Sequence, residues 1–224
     1  MTAARTAPSP TSTANGADPM LRRLHAAALV RIAYGLVWAI DASFKWLPGF
    51  IHGQTIADEL GGAKKIHTPL VHEWISMWSA IGSVNPGAFA AGTAVVETVI
   101  AVCLLLGLFS NAVFVGSAIF SFGIWSAAEG FHLPWSRPGI TDLGPSVGYI
   151  IASLALLFAC AGATWSLDSR LHGRLGRFAW LAGSRPASIV ARYRPGTQRE
   201  APGASGTRGL PAGIGTYPDQ LVVL

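Results

Sequence analysis

Apolar positions in this chain fall in long blocks instead of alternating. The first block runs from Ala26 to Phe50, and others follow at 88–109, 112–128 and 146–164. A bilayer-crossing helix needs about 20 predominantly apolar residues, so the pattern predicts four transmembrane helices within residues 26–166. Only Ser110-Asn111 separates the second block from the third, which makes those helices antiparallel neighbours joined by a tight turn. The connection 129–145, EGFHLPWSRPGITDLGP, is dense in glycine and proline and cannot continue a helix. Within the long loop 51–86, Val71, Trp74, Trp78 and Ile81 recur at helical spacing. They predict a short helix lying in the headgroup region.

The ends read differently. Residues 1–25, largely alanine, threonine, serine and proline, predict a disordered tail. After the fourth span, Ser166 is placed to cap a basic juxtamembrane helix over 167–182, and 183–224 turns into a Gly/Pro-rich flexible tail. The expected fold is therefore all-α: an integral membrane four-helix bundle with one interfacial helix and one basic C-terminal helix.

Composition sharpens this. Charged residues make up 12% of the 224 positions and hydrophobic residues 51%. A soluble domain carries about a quarter charged residues, so lipid is the expected solvent. The net charge of +5 raises nucleic acid as a partner, but the basic residues form no patch on a soluble fold. Arg22 and Arg23 flank the first span and Arg170, Arg174, Arg177 and Arg185 follow the last, whereas the two long loops carry only Lys64, Lys65 and Arg137. The positive-inside rule then puts both termini in the cytoplasm of a multi-pass cell-membrane protein, with the first span an uncleaved signal anchor. Cys103 and Cys160 lie inside apolar blocks and read as inert buried thiols, although both fall in inner halves of their spans and contact between them is open.

The candidate chemistry lies in the charges inside the spans. An ionisable group at the bilayer centre costs about 2.5–3.5 kcal/mol, so it needs a partner, water or a purpose. Arg31, Tyr34, Trp38, Asp41 and Lys45 share one stripe of the first helix. Glu97 stands alone in the second, at a depth similar to Asp41 and about one turn (roughly 6 Å) from Lys45. We expect Glu97 to meet Lys45 across the bundle, with Arg31 either in the same interior or snorkelling at the inner boundary. Ser117, Ser121, Trp125 and Glu129 line up on the third helix, and Ser146, Tyr149, Ser153 and Cys160 on the fourth. Close helix packing accounts for the serines without chemistry. Glu129, His132 and Asp142 sit at the expected mouth of a polar interior, where they suit proton relay; they lack ligand spacing, and no metal is expected.

Several short motifs carry a family resemblance. Arg31 to Trp38 (RIAYGLVW) with Lys45 to Phe50 (KWLPGF) resembles the opening helix of the DoxX/DoxD family. Glu97 with Gly107, the Glu129–Phe131 EGF, the Thr141–Pro145 TDLGP and the Ser166–Asp168 SLD follow in the family's order, over residues 26–172. The resemblance implies a DoxD-like membrane subunit of a quinone-linked oxidoreductase, such as thiosulfate:quinone oxidoreductase, working with a second subunit and using quinone as electron acceptor. On that reading Glu97, Asp41 and Lys45 are catalytic, Glu97 or Asp41 taking up quinol protons. Arg31, Tyr34, Trp38, Trp125, Glu129, His132 and Asp142 then line the substrate and quinone path, Tyr34 and Trp38 flanking the ring, and Lys45 with Arg137 draws in thiosulfate. Two alternatives stay open: a non-catalytic scaffold or redox-complex partner, and a small-solute or proton transporter.

Overall fold

The computed structural model describes residues 19–66, 68–133 and 141–192, and the described residues are helical without a strand. The first helix, α1 (Pro19–Lys45), stops where Leu47 precedes Pro48 and is forced to an extended ψ of 148°. The first apolar block therefore ends five residues earlier than expected and is followed by a single turn, α2 (Pro48–Ile51). Gly53, at φ 82°, turns the chain into α3 (Gln54–Ala63), and α4 (Val71–Val84) comes next. Asn85 caps α5 (Pro86–Leu106) by accepting from the Ala88 N–H, with Pro86 in the first turn where no amide hydrogen is needed.

Gly107, at φ 62°, closes α5 with the Leu108 N–H returning to the Cys103 carbonyl at 2.9 Å. A Cβ there would lie 2.5 Å from the Ser166 Cβ and 2.7 Å from the Arg31 guanidinium, so only glycine fits. The chain then reverses into α6 (Ser110–Ala127) and, after the loop, α7 (Pro145–Phe158). Three of these helices, α1, α5 and α6, are long and apolar enough to cross a membrane; α7 is apolar but shorter.

The expected fourth span over 146–164 is not one continuous helix. Cys160 adopts φ 52°, the Ala161 N–H returns to the Leu156 carbonyl, and residues 159–162 run as turns and 163–167 as bends. Their carbonyls can leave the helical pattern because Arg31 supplies the missing donors, as described below. The basic helix expected over 167–182 is also replaced. A single turn, α8 (Asp168–Leu171), is followed by Gly173 and Gly176 and by a 3₁₀ stretch, Gly176–Leu181. A last helix, α9 (Pro186–Arg192), falls within the tail expected to be flexible, whose remainder from 193 onward lies outside the described residues, as does the disordered tail expected before residue 19.

Helix α1 packs along α5, and α6 along α7, whereas α5 and α6 share few contacts despite their tight turn. One core, made by Tyr34, Trp38, Ile100, Leu104, Phe114 and Leu156, joins the two pairs. A second core, made by Phe50, Ile56, Leu60, Ala90 and Ala127, roofs the far end where α5 and α6 separate. Polarity is inverted relative to a water-soluble protein. Ser117, Ser121, Ser153, Arg31 and Glu97 are buried, while Val30, Ile40, Val99, Ile119 and Ile151 face outward.

Candidate functional site

The two ends of this helix set differ. At the terminal end, where α1 starts and residues 159–183 gather, Arg31 is fully buried and donates to the carbonyls of Ala161 (3.0 Å), Thr164 (3.3 Å) and Trp165 (2.6 Å). Asp168, equally buried, accepts from the N–H groups of Phe109, Ser110 and Gly183 at 2.7, 2.7 and 2.8 Å. Its carboxylate thus sits on the N-terminus of α6, where free amide donors and the helix dipole favour an anion. Halfway along the bundle, Tyr34 Oη meets Ser153 Oγ at 2.8 Å and the Tyr149 carbonyl at 2.9 Å, and Ser117 Oγ meets Ser153 Oγ at 2.7 Å.

At the opposite, loop end, Lys45 Nζ lies 3.9 Å from Glu97 Oε1 and 4.6 Å from the centre of the Phe50 ring. The pairing expected from depth and stripe is present as a loose ion pair. Both Glu97 oxygens are buried without a hydrogen-bond donor among the described residues. Two cavities, each of about 390 Å³, meet at Lys45 and Glu59. The first occupies the splayed α5–α6 seam. Its walls are aromatic (Phe50, Trp74, Trp78, Phe89, Phe120), and Lys45, Glu59, Thr93 and Glu97 supply its polar atoms. Ile119 and Phe122, both exposed, stand at its rim.

The second cavity is polar, lined by Trp38, Asp41, Lys45, Glu59, Ser121, Glu129, Ser146 and Tyr149. Glu129 Oε1 accepts from the Ser146 N–H (3.2 Å) and hydroxyl (2.6 Å), which caps the start of α7, while its Oε2 has no donor. Trp38 Nε1 and Ser121 Oγ are likewise buried without a partner. Glu59, whose outer side is exposed, has its carboxyl pushed up from the usual range by burial, with Lys45 opposing and Glu129 and Asp41 adding to the rise.

The structure therefore gathers Trp38, Asp41, Lys45, Glu97 and Glu129 and leaves the other expected site residues elsewhere. Arg31 neither snorkels nor faces Glu97; it ties the backbone at the terminal end. Tyr34 is taken up by the hydroxyl junction and lines neither cavity, so it does not flank a ring there. Trp125 donates to the His132 carbonyl at 3.1 Å, packs tilted against Phe122 and edge-to-face with Phe131, and lines neither cavity. His132 and Asp142 pair with each other at 3.3 Å on the exposed side of the loop. Arg137, expected to draw in an anion, lies outside the described residues.

Other features were missed from sequence. Glu59 was not singled out, although Ile56, Leu60 and Ala63 at helical spacing would have revealed α3 and its inward face. The face of α4 is also rotated from expectation. Ile75 and Gly82 are buried and Ile81 is 47% exposed, while Trp74 and Trp78 do turn inward to wall the aromatic cavity. Neither family models nor curated proteins nor solved structures give a match to this chain.

Proposed function

We propose that this chain is a multi-pass membrane protein that binds a quinone or quinol in the aromatic cavity, as one subunit of a redox system of the DoxX/DoxD kind. The outward apolar faces of α1, α5 and α6 support immersion in lipid. A fourth crossing completes the bundle. Helix α7, at about 21 Å, is shorter than a bilayer core of about 30 Å. The buried residues 161–164 extend it, and irregular backbone is tolerated at membrane depth where protein buries it and donors satisfy it. The distribution of arginine supports both termini in the cytoplasm, with α2–α4 and the Glu129 loop at the outer face.

The observation that carries the ligand reading is the unsatisfied Lys45–Glu97 pair in the wall of an aromatic cavity opening at apolar residues. A flat, lipid-soluble ring matches such walls, and the volume falls in the usual range for small-molecule pockets. The ring oxygens accept a hydrogen bond from the Lys45 ammonium, and Glu97 exchanges a proton with them. Reducing one quinone takes two electrons and two protons. In the thiosulfate-linked version the electrons come from two thiosulfate ions, which join through a new S–S bond as tetrathionate. Asp41, Glu59, Glu97 and Glu129 surround the single ammonium of Lys45, a balance that repels a dianion. Thiosulfate therefore reacts on the second subunit and quinone here.

Titrating the purified protein with a short-chain quinone while following tryptophan fluorescence tests this, because Trp74 and Trp78 wall the cavity. Saturable quenching is expected, and Glu97→Gln and Lys45→Met should each weaken binding by about tenfold, or 1.4 kcal/mol. Absence of saturation, or unchanged affinity in both variants, rejects the quinone.

A further inference from the structure

The polar cavity has no part in holding an apolar ring, and its chemistry points elsewhere. We propose that it is a water-filled inlet carrying protons from the face opposite the termini to the Lys45–Glu97 pair. Its walls mix donors and acceptors instead of selecting one ion. Asp41, Lys45 and Glu59, none of them fully buried, line this cavity together with Tyr149 and Ser146. Ionised side chains kept from water and left unpaired cost several kcal/mol each, so a cavity lined by Asp41, Lys45 and Glu59 calls for water. The 390 Å³ space has room for several waters.

The void leads to Lys45 and Glu59, which also belong to the aromatic cavity, so water in one compartment ends at the polar wall of the other. The charged and titratable groups around Lys45 come from every element packed there: Asp41 on α1, Glu59 on α3, Glu97 on α5, Glu129 after α6 and Tyr149 on α7. A proton entering as hydronium is held by this acidic lining, passes along water to the Glu97 carboxylate, and leaves water behind. At the terminal end, Arg31 and Asp168 tie the backbone shut, which gives the inlet one direction.

Delivery of protons to a quinone rests on the function proposed above; access of water does not, and the two are measured separately. In proteoliposomes, a membrane-impermeant methanethiosulfonate is applied to either side of Asp41→Cys or Ile40→Cys, both in a Cys103→Ala/Cys160→Ala background. The two positions are adjacent and equally deep, but Asp41 lines the cavity and Ile40 is 58% exposed on the apolar face. Asp41→Cys should react at least tenfold faster than Ile40→Cys, and only from the side opposite the termini. Equal rates, or reaction from the terminal side, overturn the inlet. Tyr149→Cys reports on the same wall if Asp41→Cys fails to fold.

The second arm follows proton uptake with a pH dye during quinone reduction by reduced methyl viologen, a one-electron donor that releases no proton. Two equivalents of it reduce each quinone to quinol with uptake of two protons. Ser121→Phe, which plugs the void, should slow uptake about tenfold while quinone affinity stays within twofold. Uptake from the terminal side overturns the inlet. Labelled Asp41→Cys in a protein that binds no quinone supports the inlet and removes the quinone, so the two failures are distinguishable.

Discussion

The terminal end and the loop end of this bundle bury similar numbers of polar groups but treat them in opposite ways. At the terminal end the Asp168 carboxylate receives three backbone donors, and the Arg31 guanidinium meets three backbone carbonyls. At the loop end Lys45 stands 3.9 Å from Glu97, and the Glu97 oxygens, Trp38 Nε1, Ser121 Oγ and Glu129 Oε2 are buried without a hydrogen-bond partner among the described residues. The terminal-end charges are held by fixed partners through most of their polar atoms, although Arg31 Nε and Ser110 Oγ there also lack one among the described residues. The loop-end charges are left open, at the place where the proposed ligand and proton would meet them.

That contrast makes unequal demands on mutation. The largest effect is expected for Asp168→Ala, which strips three amide donors of their acceptor in a buried place and should lower stability by about 3–5 kcal/mol. Arg31→Met follows at about 2–4 kcal/mol, since its three carbonyls lose charged donors. Thermal or denaturant unfolding in detergent measures both, and losses below about 1 kcal/mol would erase the difference between the ends. The combined change Lys45→Met with Glu97→Gln goes the other way. Replacing a poorly satisfied buried pair should leave stability within about 1 kcal/mol or raise it, while abolishing the ligand response.

The smallest expected effect concerns pH. Burial holds the Glu59 carboxyl above its ordinary 4.5, so the folded chain binds this proton more tightly than the unfolded chain. The stability this contributes is complete below the ordinary value and is lost as pH rises through the raised one. Glu59→Gln should flatten that decline in midpoint-against-pH curves, modestly, because the residue is part exposed and water screens it. An unchanged slope would detach Glu59 from the cavity wall.

The helices were legible because block length speaks directly to lipid, and the Lys45–Glu97 encounter was legible because depth can be counted along two antiparallel helices. What sequence could not show was set by partners distant in the chain. The bend after Phe158 depends on a guanidinium more than a hundred residues earlier. The aromatic walls come from helices whose inward face is decided by packing: α4 carries apolar residues on more than one side, and periodicity chose Ile81 where the core took Ile75. Glu59, an exposed residue, gave no signal of its own, because only the placement of α3 over the cavities brings it beside Lys45.

The hydroxyl junction of Tyr34, Ser153 and Ser117 has one more consequence. Oily surfaces in lipid give neighbouring helices no preferred rotation, so something must index them. Here three alcohols on α1, α6 and α7 meet within 2.8 Å of one another in sequence. Turning any of these helices by a single residue, about 100°, would swing its alcohol out of reach and break the chain. The junction works as a keyed shaft: it sets the angle at which Trp38, one turn along from Tyr34, presents its indole to the polar cavity.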